Sequence, residues 1–244
     1  MKRLPYFLTV LLLTVLISCK EKPAKKTENS VATIPQKESE WIYLFDGKDL
    51  SGWRGFNANT LPENWVLEEG TLKSQGTGGD IGGDIVYGEK PFEYFELSLE
   101  WKISEGGNSG IFYHVHEGKK YKAPYENAPE YQLIDDIGFP QPLEEWQKLG
   151  ADYAMYPADA TQKIVKKAGE WNTSRIVFTK DKAEYWLNGK KVVSFVPYSE
   201  DWQKRRNSGK WDKYPDYGKY KKGLIGLQDH GSFIWFKNIK IKEL

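Results

Sequence analysis

Cysteine is almost missing from this chain. The single copy in 244 residues is Cys19, so the folded part holds no internal disulfide, no thiolate nucleophile and no cysteine-bound metal cluster. Histidine is scarce as well, confined to His114, His116 and His230, so any imidazole chemistry has only those three to draw on. A surplus of one charge is also lacking. Lysine and arginine number 35 against 34 acids, which leaves no basic field to attract nucleic acid and no acidic tail to act as a solvating segment. What the chain has in excess is aromatic surface. Ten tryptophans and fifteen tyrosines exceed the needs of a core, and both side chains join an apolar face to a polar handle. Such a supply suits a sugar-binding surface, where flat C–H faces stack on rings; a large sandwich core would consume part of it.

The first nineteen residues read as a targeting segment. Met1–Lys2–Arg3 is positive, residues 4–17 are almost wholly apolar, and Leu16–Ile17–Ser18–Cys19 closes the run. The segment is too short and wrongly flanked for a spanning helix, and reads as a secretory leader. Its end resembles a bacterial lipobox, in which the cysteine becomes the lipidated N-terminus, so Cys19 is the expected lipidation site. Residues 20–40 are rich in Lys, Glu, Pro, Ser and Thr and cannot bury enough apolar surface to fold, as expected of a flexible tether. The expected location is the cell envelope, periplasmic or on the outer-membrane surface, with the lipid as the only membrane contact.

From Trp41 to Leu244 the pattern becomes one of short runs with period two, broken by Gly, Asn, Asp and Pro. Phe95, Leu97, Leu99, Trp101 and Ile103 alternate with Glu96, Ser98, Glu100 and Lys102, the signature of a strand with one core face. Similar runs cover 110–115, 130–134, 174–179, 183–187, 191–195, 224–228 and 233–241, and Asn188–Gly189 marks a tight hairpin turn. Many short strands with helical pattern only at 143–149 and 200–206 predict an all-β sandwich or jelly roll. Residues 138–169 form a long segment with little strand pattern, a length usually tied to function or disorder.

Alternation also predicts which side chains share a face. Glu130 and Gln132 point one way on their strand, with Asp135 at its end pointing the other. Phe112 and His114 share a face on theirs, and Gln228 and His230 share one at the end of a late strand. Glu100 lies on a polar face, where simple solvation is the plain alternative, and Asp229 is placed to close a turn with Gly231. The turn Gly106–Gly107–Asn108–Ser109–Gly110 is not a phosphate loop, because no helix follows it. Glu130 has the strongest claim to chemistry, with Gln132 beside it offering both donor and acceptor to a hydroxyl.

Several segments, taken in order, resemble the 3-keto-disaccharide hydrolase family. They are Leu44–Phe45–Asp46–Gly47–Lys48–Asp49–Leu50–Ser51–Gly52–Trp53, Glu100–Trp101–Lys102–Ile103–Ser104, and Gly106–Gly107–Asn108–Ser109–Gly110–Ile111–Phe112–Tyr113. Pro129–Glu130–Tyr131–Gln132–Leu133, Gly169–Glu170–Trp171–Asn172, Trp186–Leu187–Asn188–Gly189 and Gly226–Leu227–Gln228–Asp229–His230–Gly231 continue the likeness to Trp235–Phe236–Lys237–Asn238–Ile239–Lys240–Ile241. The resemblance spans residues 41–244 and implies a concanavalin-A-like jelly-roll sandwich that cleaves glycosides already oxidised to a ketone at C3. His114 departs from it, because the family commonly carries arginine there.

A ketone at C3 acidifies the C2 hydrogen, so elimination followed by hydration is the easiest route to net hydrolysis. It needs a base, an electrophile near the C3 oxygen and an acid for the leaving group. Glu130 is the expected base and His230 the acid or electrophile. Asn108, His114, Gln132 and Gln228 are expected sugar contacts, with Asp135 and Glu100 in reserve. A divalent cation polarising the ketone is the one cofactor the chemistry leaves open. Two rival readings remain: a lectin without an acid–base pair, and a two-carboxylate glycosidase using Glu130 and Asp135. The latter needs a bulge to bring residues five apart onto one face.

Overall fold

The computed structural model describes residues 40–79 and 83–244. The expected leader, Cys19 and all of the tether except Glu40 lie outside the described residues.

Thirteen strands are described: β1 (Ile42–Phe45), β2 (Trp53–Gly55), β3 (Trp65–Glu68), β4 (Thr71–Gln75), β5 (Ile85–Phe92), β6 (Phe95–Ile103) and β7 (Asn108–Val115), followed by β8 (Glu130–Ile134), β9 (Asn172–Phe178), β10 (Ala183–Leu187), β11 (Lys190–Phe195), β12 (Gly223–Leu227) and β13 (Phe233–Glu243). One α-helix, α1 (Glu200–Arg206), sits between β11 and β12, its first turn capped by the Ser199 hydroxyl accepting from Trp202 N. Where the sequence predicts a second helix at 143–149, the chain makes only a 3₁₀ turn at Glu145–Gln147.

All pairings are antiparallel and form two sheets. The larger runs β11-β10-β9-β6-β13-β4-β3, and the smaller runs β2-β5-β12-β7-β8. β13 is long enough to pair with β6 along one edge while its other edge serves β4 first and then β1. The period-two run of β6 behaves as its pattern predicts: Phe95, Leu97, Leu99, Trp101 and Ile103 are buried and the residues between them are half-exposed. They join one apolar cluster with Phe236 and Ile239 of the same sheet and with Ile85, Ile111, Tyr131, Leu133 and Ile225 of the other. A single cluster fed by the inner faces of both sheets is the core of a jelly-roll sandwich. The buried indole of Trp101 donates to Ser174 Oγ at 2.9 Å, so this large side chain leaves no unsatisfied donor.

Two local features position the site. The outer face of the smaller sheet carries a second apolar patch of Val86, Phe112, Val115 and Ala128. On β7, the pairs Phe112–Gly226 and Val115–Leu224 leave one residue more on β7 than on β12, and His114 has φ +58°. This is a β-bulge, and it breaks the alternation that would have set His114 beside Phe112.

Candidate active site

A cavity of about 300 Å³ opens on the outer face of the smaller sheet. Its floor comes from β7 and β8 through Asn108, Glu130 and Gln132, and from the end of β12 through Gln228 and His230. Its walls are aromatic and basic: Tyr125 from a 3₁₀ turn, Tyr153 from the long segment 138–169, and Lys210 and Tyr214 from the chain after α1.

Glu130 is buried, and its place depends on a missing side chain on the neighbouring strand. A Cβ at Gly110 on β7 would lie 2.2 Å from Glu130 Oε1, so the carboxylate occupies the space that this glycine leaves. Among the described residues nothing donates a hydrogen bond to that carboxylate. Burial pushes Glu130 up to about 7, partly offset by the Lys210 ammonium. Asp84, at the foot of β5, is also buried and is pushed up to about 8 despite accepting from Asp229 N at 3.0 Å.

The neighbours of Glu130 are fitted to hydroxyl groups. Gln132 Nε2 donates to Asn108 Oδ1 at 3.2 Å, which fixes both amides at the floor. Among the described residues Gln228 Oε1 is buried without a hydrogen-bond partner, and Gln228 lines the same cavity. The His230 loop is tied down on both sides. Asp229 accepts from Gly231 N at 3.0 Å, closing the expected turn, and also from Gly78 N at 2.8 Å and from Asn64 Nδ2. Beyond it, Ser232 Oγ accepts from Asn108 N at 3.1 Å.

Of the residues singled out from the sequence, the structure brings together Glu130, His230, Asn108, Gln132 and Gln228. Three others lie elsewhere. His114, expected as a sugar contact, turns at the bulge into the sandwich, with its ring 4.7 Å from that of Phe178 and its Nε2 2.9 Å from Glu93 O. Burial there lowers it to about 4, which makes it a neutral core residue near neutral pH. Glu100 belongs to the other sheet, where it accepts from Asn238 at 2.6 Å and faces Lys237 at 3.4 Å. Asp135 accepts from Gly106 N at 2.9 Å and Ile137 N at 3.2 Å, and borders a separate cavity. The bulge that would have joined Asp135 to Glu130 is not in β8, whose pairing with β7 is regular. Among the described residues no three His, Cys, Asp or Glu side chains converge to hold a metal ion.

Sequence reasoning missed Tyr125, Tyr153, Tyr214 and Lys210. The aromatic excess was the only signal for the tyrosines, and it does not say which of fifteen reach the cavity. Lys210 is hidden among Lys204, Arg205, Arg206 and Lys213, with nothing in the local pattern to set it apart.

Residues 40–242 match the family model described as a 3-keto-alpha-glucoside-1,2-lyase-like domain. A curated 3-keto-disaccharide hydrolase of Bacteroides thetaiotaomicron is 35% identical, the match taking in 91% of this chain and 85% of that one. Two crystal structures from Parabacteroides distasonis, both provisionally described as glycosyl hydrolases, are also similar. One is 46% identical with a TM-score of 0.78, covering 84% of this chain and 94% of its own. The other is 31% identical with a TM-score of 0.63, covering 84% and 100%.

Proposed function

Because this chain belongs to the 3-keto-alpha-glucoside-1,2-lyase-like family, we infer that it is an enzyme that hydrolyses 3-keto-disaccharides and that it works by elimination and hydration. The observation that carries the mechanism is Glu130. A carboxylate buried in a polar cavity, raised to about 7 and encumbered by no described hydrogen-bond donor, is a base suited to proton abstraction near neutral pH. In the reaction Glu130 takes the proton from C2, and the C2–H electron pair moves toward the C3 carbonyl to give an enolate. Collapse of the enolate restores the ketone, forms a C1=C2 double bond and breaks the C1–O bond, and His230, which lines the same cavity, protonates the leaving oxygen. Water then adds its hydroxyl to C1 and passes its other proton to His230, which restores the acid, and Glu130 returns the proton to C2. Gln132, Asn108 and Gln228 hold the sugar hydroxyls. Asp135, the second carboxylate of the glycosidase alternative, has no part in this scheme because it lies outside the cavity lining.

The further reading is that the enzyme is exported and anchored through lipid on Cys19, as the leader suggests. There it would meet oxidised disaccharides in the envelope.

The test is sugar release from a 3-keto glucoside beside its unoxidised parent. Cleavage of the keto form alone is expected, with kcat/KM rising through about pH 7 as Glu130 ionises. Glu130→Gln should lose about 10²–10⁴ in kcat while remaining folded. Equal cleavage of the parent, or near-normal turnover by the variant, would overturn elimination.

A further inference from the structure

The elimination scheme leaves one role unfilled, the group that receives negative charge on the C3 oxygen. Lys210 has the position and the environment for it. It lies on the 3₁₀ turn Gly209–Lys213 and lines the same cavity as Glu130. The next residue, Trp211, is fully buried and stacks on Tyr217 with ring centroids 3.6 Å apart, which anchors the turn and fixes where Lys210 departs from it. The ammonium then sits among aromatic rings, 4.2 Å from the centroid of Tyr153, 4.9 Å from Trp211 and 5.2 Å from Tyr125.

Among the described residues Lys210 has no ion pair and no hydrogen bond, unlike Lys73, Lys163 and Lys191 elsewhere on the molecule, each of which is paired to a carboxylate. Burial lowers its pKa below the usual lysine range and the Glu130 carboxylate acts against that, so the two charges sense each other across the cavity. Ring faces can hold a cation but cannot accept a strong hydrogen bond, so its N–H donors remain for a ligand oxygen. Were Lys210 only a wall, its charge would be dispensable. A half-buried cation held among rings and paired with no carboxylate matters most when negative charge develops beside it.

We propose that Lys210 is the electrophile of this site: its ammonium holds the C3 oxygen and takes up the negative charge formed when Glu130 removes the C2 proton. This rests on the elimination reading and completes it. His230 is thereby assigned to the leaving group alone. It also explains why the site would demand a ketone. An unoxidised C3 hydroxyl offers no acidified C2 hydrogen and no oxyanion for Lys210 to hold. No proton need pass to the C3 oxygen, because the enolate collapses back to the ketone as the C1–O bond breaks.

The decisive experiment separates proton abstraction from cleavage. In D₂O, 3-keto-1,5-anhydroglucitol carries the ketone but no glycosidic leaving group, so deuterium entry at C2 reports enolate formation directly. Wild-type protein should catalyse this exchange, and Glu130→Gln should not. Lys210→Met should lose about 10²–10³ in both exchange and kcat/KM on a 3-keto glucoside, the scale of removing one oxyanion donor. Lys210→Arg, which keeps the charge, should recover part of both. Removing the cation should also move the acid limb of the pH profile upward, since it no longer favours ionised Glu130. A merely structural lysine would not do this. Near-normal exchange and turnover in a folded Lys210→Met protein would overturn the proposal while leaving elimination intact. Cleavage by Glu130→Gln at the wild-type rate would instead remove the reading on which it stands. Should Lys210→Met fail to fold, Lys210→Gln and Lys210→Arg provide the same contrast.

Discussion

At the scale of single residues, the chemistry depends on what the backbone leaves room for. Glu130 becomes a base with a working range near neutrality because water is removed from it and little replaces the water. That environment is made by Gly110, which has no side chain to compete for the space. Replacing Gly110 with alanine would put a Cβ 2.2 Å from Glu130 Oε1 and force the carboxylate aside. The expected result is a loss of about 10²-fold in kcat/KM, the scale of a misplaced catalytic group. Overpacking should cost about 1–3 kcal/mol, read as a lower urea midpoint. Unchanged kinetics in that variant would mean that the carboxylate has another place to act from. Glu130 and Gln132 could be placed on one side beforehand because β8 pairs regularly, and Asn108, Gln228 and His230 stood out because they lie at or just past strand ends. His114 was misread because a bulge is a one-residue event with no period of its own. Lys210 and the tyrosines were not legible at all, since turns with no regular repeat carry them into the cavity.

At the scale of elements, the strands followed their patterns closely. The run at 95–103 is β6, that at 183–187 is β10, and that at 130–134 is β8, because each has a dry face to mark it. The hairpin between β10 and β11 was equally plain. Asn188 at φ +47° and Gly189 at φ +79° are the two left-handed residues that a tight turn between twisted strands requires. Gly189→Ala would force a Cβ into the left-handed region at a cost of about 1–2 kcal/mol. Since neither turn residue lines the cavity, urea unfolding should show the loss while kcat per folded molecule stays unchanged. A fall in kcat would instead tie this hairpin to the site. Residues 143–149 show the opposite case, where local helical pattern yields only one 3₁₀ turn. A short amphipathic stretch over a sheet has too few hydrogen bonds of its own to impose a full helix.

At the scale of the molecule, the buried titratable groups make stability depend on pH in a direction that can be worked out. Asp84 is raised from 3.8 to about 8 and Glu130 from 4.5 to about 7, so folding favours their protonated forms. Their contribution is fully present below the ordinary carboxylate range and is lost as pH rises through about 7 and 8. His114 works in the other sense. Lowered from 6.5 to about 4, it stabilises the fold above pH 6.5 and loses that contribution as pH falls toward 4. Between about pH 6.5 and 8 only the carboxyls act, so Tm should fall as pH rises over that window. Glu130→Gln, which cannot ionise, should show a shallower fall. Parallel Tm–pH curves for the two proteins would show that Glu130 is not buried in the way described.

The sequence by itself determined the sandwich, because hydrophobic alternation with period two is a local property that any strand must display to bury one face. It also determined most of the cavity floor, since residues two apart on a strand share a side whatever the rest of the chain does. Only the tertiary structure decided that Gly110 would lie beneath Glu130, that His114 would turn inward, and that Lys210 would arrive from eighty residues further along. Those outcomes depend on strand register, on one bulge and on how a loop packs over the sheet. Such contacts are made between distant segments, and no local pattern records them.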